Sequence, residues 1–278
     1  MLTDSHCHPY DLAKAFPGME EERQRLGVLC AASASSREEF EFNEGLGVAA
    51  HGEGAAGVFP CFAIHPQLPA YVNSSPDGSD ARLYNVDENL GLLESLALQG
   101  RLAAVGETGF DLFNAQYRAS EAQQDGLFAF HVDVTSRYNL PLVIHARRAM
   151  HKIFGASAKL KKCRAVVFHS WPGTVDEANA LLCRGINAYF SFGAAILLNH
   201  RHAIHSCAAL PADRLLLKTD APYQPLRDSS RRYSSWDDLP AILSAAASLR
   251  SEAGGQGMDA ETLEHIIETN FRAVFVHN

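Results

Sequence analysis

Thr3-Asp4-Ser5-His6-Cys7-His8-Pro9 opens the readable pattern of the chain, and the rest is ordered around it. It follows a minimal apolar start and reads as the end of a first β-strand. Alternate side chains of a strand point to one side, so His6 and His8 face one way together and Cys7 faces the other. Two neutral imidazoles on one edge can grip a divalent metal. Taken alone, the pair is equally a pair of surface or capping histidines. The two readings separate on whether further ligands arrive at the same end of other strands.

Short apolar runs recur downstream: Leu2–Ser5, Gly27–Ala32, Val58–Ile64, Leu102–Gly106, Leu140–Ile144, Ala165–Phe168, Ile186–Ser191 and Arg214–Thr219. Runs this short and this apolar fit strands buried on both faces, as a parallel sheet requires. The segments between them predict helices over Glu20–Arg25, Arg37–Ala50, Asp87–Gln99, Ser120–Tyr138, Met150–Lys162, Val175–Arg184 and His200–Leu210. A closing helix is predicted over Asp259–Phe275, where Leu263, Ile266, Ile267, Val274 and Phe275 recur at helical spacing and Asn270-Phe271 packs the barrel floor or helix layer. Eight strand–helix alternations in 278 residues predict an α/β chain with a single (β/α)8 TIM barrel as one domain over 1–278. Two longer connections, Pro69–Asn85 and Ala221–Leu239, each follow a strand and so belong to the catalytic face.

Further ligands do arrive at strand ends. The fourth run ends in Val105-Gly106-Glu107, the fifth in Val143-Ile144-His145, the sixth in Val167-Phe168-His169, and the eighth leads into Thr219-Asp220. In a barrel these ends converge on one mouth. His6, His8, Glu107, His145, His169 and Asp220 then share a pocket, which chance placement explains poorly. Singly, each has a bland reading as a helix cap or a satisfied core histidine.

Composition bounds the function. A formal net charge of −8 argues against a protein that coats nucleic acid, which needs a basic footprint. It leaves room for an enzyme that grips one phosphate locally. The six cysteines (Cys7, Cys30, Cys61, Cys163, Cys183 and Cys207) form no CxxC pair, which predicts a reduced, cytoplasmic protein without disulfides. No run approaches the ~18 apolar residues of a membrane span.

The motifs together resemble the TatD family of metal-dependent hydrolases, within the wider amidohydrolase-like group of barrels. They are Asp4-Ser5-His6-Cys7-His8, Ala63-Ile64-His65-Pro66, Gly106-Glu107-Thr108-Gly109-Phe110-Asp111 and Leu140-Pro141-Leu142-Val143-Ile144-His145-Ala146-Arg147. They continue in Phe168-His169-Ser170, Tyr189-Phe190-Ser191-Phe192-Gly193 and Thr219-Asp220-Ala221-Pro222-Tyr223, in order along nearly the whole chain. The resemblance implies a deoxyribonuclease of exonuclease character with two divalent ions, Zn, Mg or Mn. His6 and His8 would hold one ion, His145 and His169 the other, with Glu107 bridging. Asp220 would bind the first ion and take a proton from water. DNA or another phosphodiester is the implied partner, without a membrane, and a monomer is plausible.

The chain departs from that family at Lys218, where an acidic residue is usual, at His169-Ser170-Trp171-Pro172-Gly173, and in the loop Arg227-Asp228-Ser229-Ser230-Arg231-Arg232. The Pro69–Asn85 connection is also long. None of these departures is expected to touch a ligand. His65 and Arg147 could hold phosphate oxygens, Arg through its fork of donors; packing beside Pro66 and a structural ion pair at a helix start are their bland readings. Phe110, Trp171 and Tyr223 border ligand motifs and could stack on bases, although packing is the commoner use of such rings. The Arg227–Arg232 cluster could meet a nucleic-acid backbone or stand as a solvated loop. His200, His202 and His205, without a carboxylate partner nearby, read as surface residues. A hydrolase of a small ester or amide, and an inactive barrel used as a partner-binding module, stand as the alternative functions.

Overall fold

A computed structural model describes residues 1–49, 57–74, 85–226, 231–254 and 258–276. Its eight strands are β1 Thr3–Cys7, β2 Leu29–Ala34, β3 Val58–Phe62, β4 Ala104–Asp111, β5 Leu142–Arg147, β6 Val166–Phe168, β7 Ala188–Phe192 and β8 Leu215–Leu217. They pair in sequence order, each neighbour parallel to the last. This is the expected (β/α)8 TIM barrel. Most strands are buried along their whole length because one face lines the barrel interior and the other lies under helices.

The predicted helices form at α2 Met19–Leu26, α3 Arg37–Ala49, α5 Val86–Leu98, α7 Glu121–Arg137, α10 Val175–Cys183, α11 Arg201–Ala209 and α13 Ala260–Phe275. The one helix expected over Met150–Lys162 is instead two short ones, α8 Met150–Gly155 and α9 Ser157–Leu160. Among the described residues four further α-helices are additions: α1 Pro9–Ala15, α4 Leu68–Ser74, α6 Ala115–Ala119 and α12 Leu239–Glu252. Residues 75–84 of the long connection after β3, and Arg227, lie outside the described residues. Among the described residues no helix is long and apolar enough to cross a membrane. The closing helix α13 places Phe271, Val274 and Phe275 among strand residues such as Ala104, Val143 and Leu216, so it packs against the barrel interior. Asn270 donates to the carbonyls of Ala212 and Leu215 and ties this helix to the start of β8.

The seam between β8 and β1 is closed just beyond β8. The Asp220 N–H donates to His6 O (3.0 Å) and the His8 N–H to Ala221 O (2.7 Å). Asp4 sits fully buried in that seam: Oδ1 accepts the Thr219 and His6 N–H groups, and Oδ2 accepts the Thr219 hydroxyl at 2.6 Å. Burial pushes its carboxyl up to about 6, against the pull of these hydrogen bonds. Asp4 therefore fixes His6 and Asp220 relative to each other across the seam.

His131 of α7 does the same for the end of β3. Its Nε2 accepts the Ile64 N–H at 3.0 Å while Nδ1–H donates to Leu127 O, so the ring must be neutral. Burial lowers its pKa to about 4, against the opposing effect of the Leu127 carbonyl. The unfolded chain takes up this proton near pH 6.5 and the native one only near 4. The stabilisation is present above 6.5 and is lost as pH falls towards 4. Between pH 7 and pH 5 the stability advantage of the wild type over His131→Gln should shrink by about 2 kcal/mol. Urea unfolding of both proteins at the two pH values measures it; an advantage that stays constant would contradict this account.

Candidate metal centre

The carboxyl ends of the strands surround a cavity of about 1160 Å³ whose lining includes His8, Glu107, His145, His169 and Asp220. His6 lies in β1 and His8 one residue past its end, and the continued alternation brings their Nε2 atoms 3.1 Å apart at this mouth, while Cys7 turns to Ala31 O on the other side. Glu107 stands inside β4, which runs on to Asp111 rather than ending at the ligand. His145 in β5 lies in register with Gly109. His169 follows β6 directly, and Asp220 lies three residues past β8 in the left-handed region at φ 66°.

Glu107 is 5% exposed and central. Its Oε1 faces His145 Nδ1 (2.7 Å), His169 Nε2 (2.9 Å) and His65 Nε2 (3.2 Å). Its Oε2 faces His6 Nε2 at 3.1 Å and His8 Nε2 at 3.9 Å. Asp220 Oδ1 lies 3.5 Å from His8 Nε2 and 3.6 Å from His6 Nε2. The six sequence-predicted ligands are thus brought together.

Burial pushes the Glu107 carboxyl up, but the surrounding imidazoles, His169 first, outweigh it and hold it well below the usual range. Asp220 behaves likewise: burial raises it, and Lys218 with His8 brings it well below normal. Burial and the neighbouring His169 lower His6 to about 4, and burial lowers His169. At neutral pH both present lone pairs. His145 is raised to about 9, because Asp111 and Glu107 outweigh the opposing effect of burial.

This donor set fits divalent ions. Ligands about 2.1 Å from a shared ion lie roughly 3.0–3.4 Å from one another, and the contacts His6–His8, His6–Glu107 and His169–Glu107 fall at 2.9–3.1 Å. His6, His8 and Asp220 form one close group and His6, Glu107 and His169 another. The far nitrogen of His145, Nε2, faces Asp111 Oδ2 (3.2 Å), which accepts only. Glu107 Oε1 at Nδ1 also accepts only, so the ring donates from both nitrogens as an imidazolium. With Nε2–H kept on Asp111, Nδ1 is the nitrogen that an ion would take in place of its proton, an orientation typical of a metal-binding imidazole. His65 differs. Its Nδ1 accepts the Gln67 N–H, so the neutral ring carries its proton on Nε2 and offers the cavity a donor rather than a lone pair.

Several expectations need correction. Lys218 does touch a proposed ligand: its Nζ lies 3.0 Å from Asp220 Oδ2. Phe110 is 2% exposed and packs on Phe128 of α7, because it alternates with Asp111 and points outward, so it offers no face for a base. Trp171 borders the cavity but is 4% exposed, held edge-to-face by Phe168 and Phe190, which leaves it a wall rather than a stacking platform. Arg231 is paired to Asp238 at 2.6 Å and is a structural cation. His200 and His202 are exposed, as expected of surface residues, but with Arg201 they also border the cavity. Tyr223 stands half-exposed at the mouth, its hydroxyl on Asp11 and its ring edge-on to His8. Arg147 is exposed there too, its guanidinium 3.6 Å from the centre of the Phe113 ring.

A model of the TatD related DNase family matches residues 3–276. The chain belongs to the TatD family. A curated relative from Cronobacter sakazakii, named 3'-5' ssDNA/RNA exonuclease TatD, is 33% identical over 72% of this chain and 74% of its own. One of the same name from Dickeya dadantii is 31% identical over 75% and 78%. A solved TatD homologue from Escherichia coli superposes with a TM-score of 0.77 at 21% identity, over 100% of this chain and 98% of that one. An uncharacterized amidohydrolase from Saccharomyces cerevisiae gives 0.71 at 15% identity, over 99% of each. The TatD barrel is thereby a hydrolase fold with its donor cluster at the expected mouth.

Proposed function

We propose that the chain is a metal-dependent exonuclease that cleaves phosphodiester bonds at the ends of single-stranded nucleic acid, with two divalent ions at one centre. The observation that carries this reading is Glu107: one buried carboxylate faces His145 and His169 with one oxygen and His6 with the other. His6, His8 and Asp220 would hold one ion, His145 and His169 the other, and Glu107 both. Bound ions would supply Lewis-acid charge to the phosphate and lower the pKa of water from 15.7 towards about 7.

The chain's own side chains do the rest. Asp220 Oδ1 is turned into the cluster and would orient the attacking water and receive its proton. His65 would donate Nε2–H to a phosphate oxygen, and Arg147, held over the Phe113 ring, would present its fork of donors. Tyr223 would carry the terminal base. Charge is divided across the mouth: Arg147, His200, Arg201 and His202 border the cavity, and so do Asp11 and Glu39. A phosphate backbone would run along the basic side. A cavity at one end of a barrel also suits a strand end better than a long duplex.

The test uses 5'- and 3'-labelled single strands of DNA and RNA, with Mg²⁺, Mn²⁺ or Zn²⁺ each supplied to chelator-treated protein. Stepwise shortening from one end, restored by metal and absent from His145→Ala and Asp220→Ala, is expected. Turnover of acyl esters or amides with no phosphodiester cleavage under any metal would overturn the reading.

A further inference from the structure

Lys218 is 1% exposed and stands beside the proposed ligand Asp220. Its ammonium donates to Asp220 Oδ2 at 3.0 Å and to Gln224 Oε1 at 3.1 Å. Gln224 returns its amide N–H to the same Oδ2 at 2.5 Å. Oδ2 therefore has two donors, and Oδ1 alone is turned to His6 and His8. The lysine stem is fixed as well. It runs past Gly193, where an added Cβ would come within 2.9 Å of Lys218 Cε and 2.6 Å of its carbonyl oxygen.

Among the described residues no lysine or arginine sits on Glu107, whose side-chain contacts are imidazoles. The two halves of the centre thus start from different charge. Around Glu107 the carboxylate charge is balanced only by imidazoles such as His145, whose proton leaves when the ring becomes a ligand. Around Asp220 that charge is already offset by a fixed ammonium, which also repels an arriving cation across a short, poorly screened distance. The clamp further restricts Asp220 to one oxygen as a ligand.

We propose that Lys218 makes the two halves unequal, so that the His6–His8–Asp220 half takes its divalent ion much more weakly than the Glu107–His145–His169 half. The His6–His8–Asp220 half then fills last and empties first. This inference rests on the two-ion reading, and the experiment separates the two.

Metal-free full-length protein is titrated with Mn²⁺ by calorimetry, and bound ions are counted by elemental analysis at set free Mn²⁺. The wild type should show two steps at least tenfold apart in Kd. Lys218→Met should tighten the weaker step tenfold or more, about 1.4 kcal/mol, and leave the tighter one within about threefold. Lys218→Arg, which keeps the charge, should keep the weak step, and His8→Ala should remove that step alone. Lys218→Gln, which can still donate to Asp220, serves if circular dichroism shows Lys218→Met unfolded. Two equal steps in the wild type, or unchanged steps in the uncharged variants, would overturn the proposal while leaving two ions in place. A wild type that takes no Mn²⁺ would defeat the two-ion reading along with it.

Discussion

Glu107→Gln should lower nucleolytic turnover by roughly 10³-fold or more, about 4 kcal/mol in the barrier. No other side chain of the centre meets so many partners: His145, His169 and His65 through one oxygen, His6 and His8 through the other. Gln keeps the size but removes the charge and turns one oxygen into a donor. On the side where the amide nitrogen falls, lone pairs that would serve an ion are met by N–H groups instead. Both halves of the centre weaken together, because the bridging position belongs to both. Charge neutralisation should also cut bound Mn²⁺ to less than one ion per chain at concentrations that load the wild type. The fold should survive, since the barrel is closed by the seam at Asp4 and by α13 rather than by Glu107. Single-turnover cleavage and ion counting on the same preparation measure the two effects. A variant with a tenth or more of wild-type turnover would show that Glu107 does not bridge.

That six ligands could be read from sequence has a physical reason. Each is reached at or just past a strand that is buried on both faces, so a polar residue there interrupts an apolar run and stands out. The eight strands were legible on the same ground. The positioning residues were harder. Lys218 follows Leu215-Leu216-Leu217, and nothing in that run reveals that its ammonium folds back onto Asp220. Asp111 was hidden by the expectation that the strand ends near Gly106, whereas β4 runs on to Asp111. Two-residue alternation from Gly109 would have placed Asp111 beside His145 and turned Phe110 outward. Helix α12 was missed within and after a segment read as a long loop, although Ser235-x-x-Asp238 followed by Pro240 is a helix-start signal. The halving of Met150–Lys162 falls at Gly155-Ala156-Ser157, where the glycine is a breaker signal that the reading of one helix passes over.

Gly109→Ala should cost the protein more than about 3 kcal/mol of stability and remove activity even from the fraction that folds. Gly109 has φ 135°, a conformation that L side chains rarely adopt. Its missing Cβ is also filled space: a carbon there would lie 2.1 Å from His145 O and 3.2 Å from His145 N. The neighbour is backbone, so no rotamer change relieves the contact and β5 must move away from β4. The two strands pair through Gly109↔His145 itself. The displacement therefore falls on His145, whose Nδ1 must stay near Glu107 and whose Nε2 must stay on Asp111. Strain and catalysis are tied to one position. Gly126 offers the contrast, since it lies inside α7 with nothing within 4 Å of an added Cβ. Gly126→Ala should be neutral or stabilise by about 0.5–1 kcal/mol through helix propensity. Urea unfolding of the two variants against the wild type, with cleavage rates at equal folded fraction, measures the difference. If Gly109→Ala unfolds within 1 kcal/mol of the wild type and cuts at its rate, β4 and β5 do not approach as closely at His145 as the site requires.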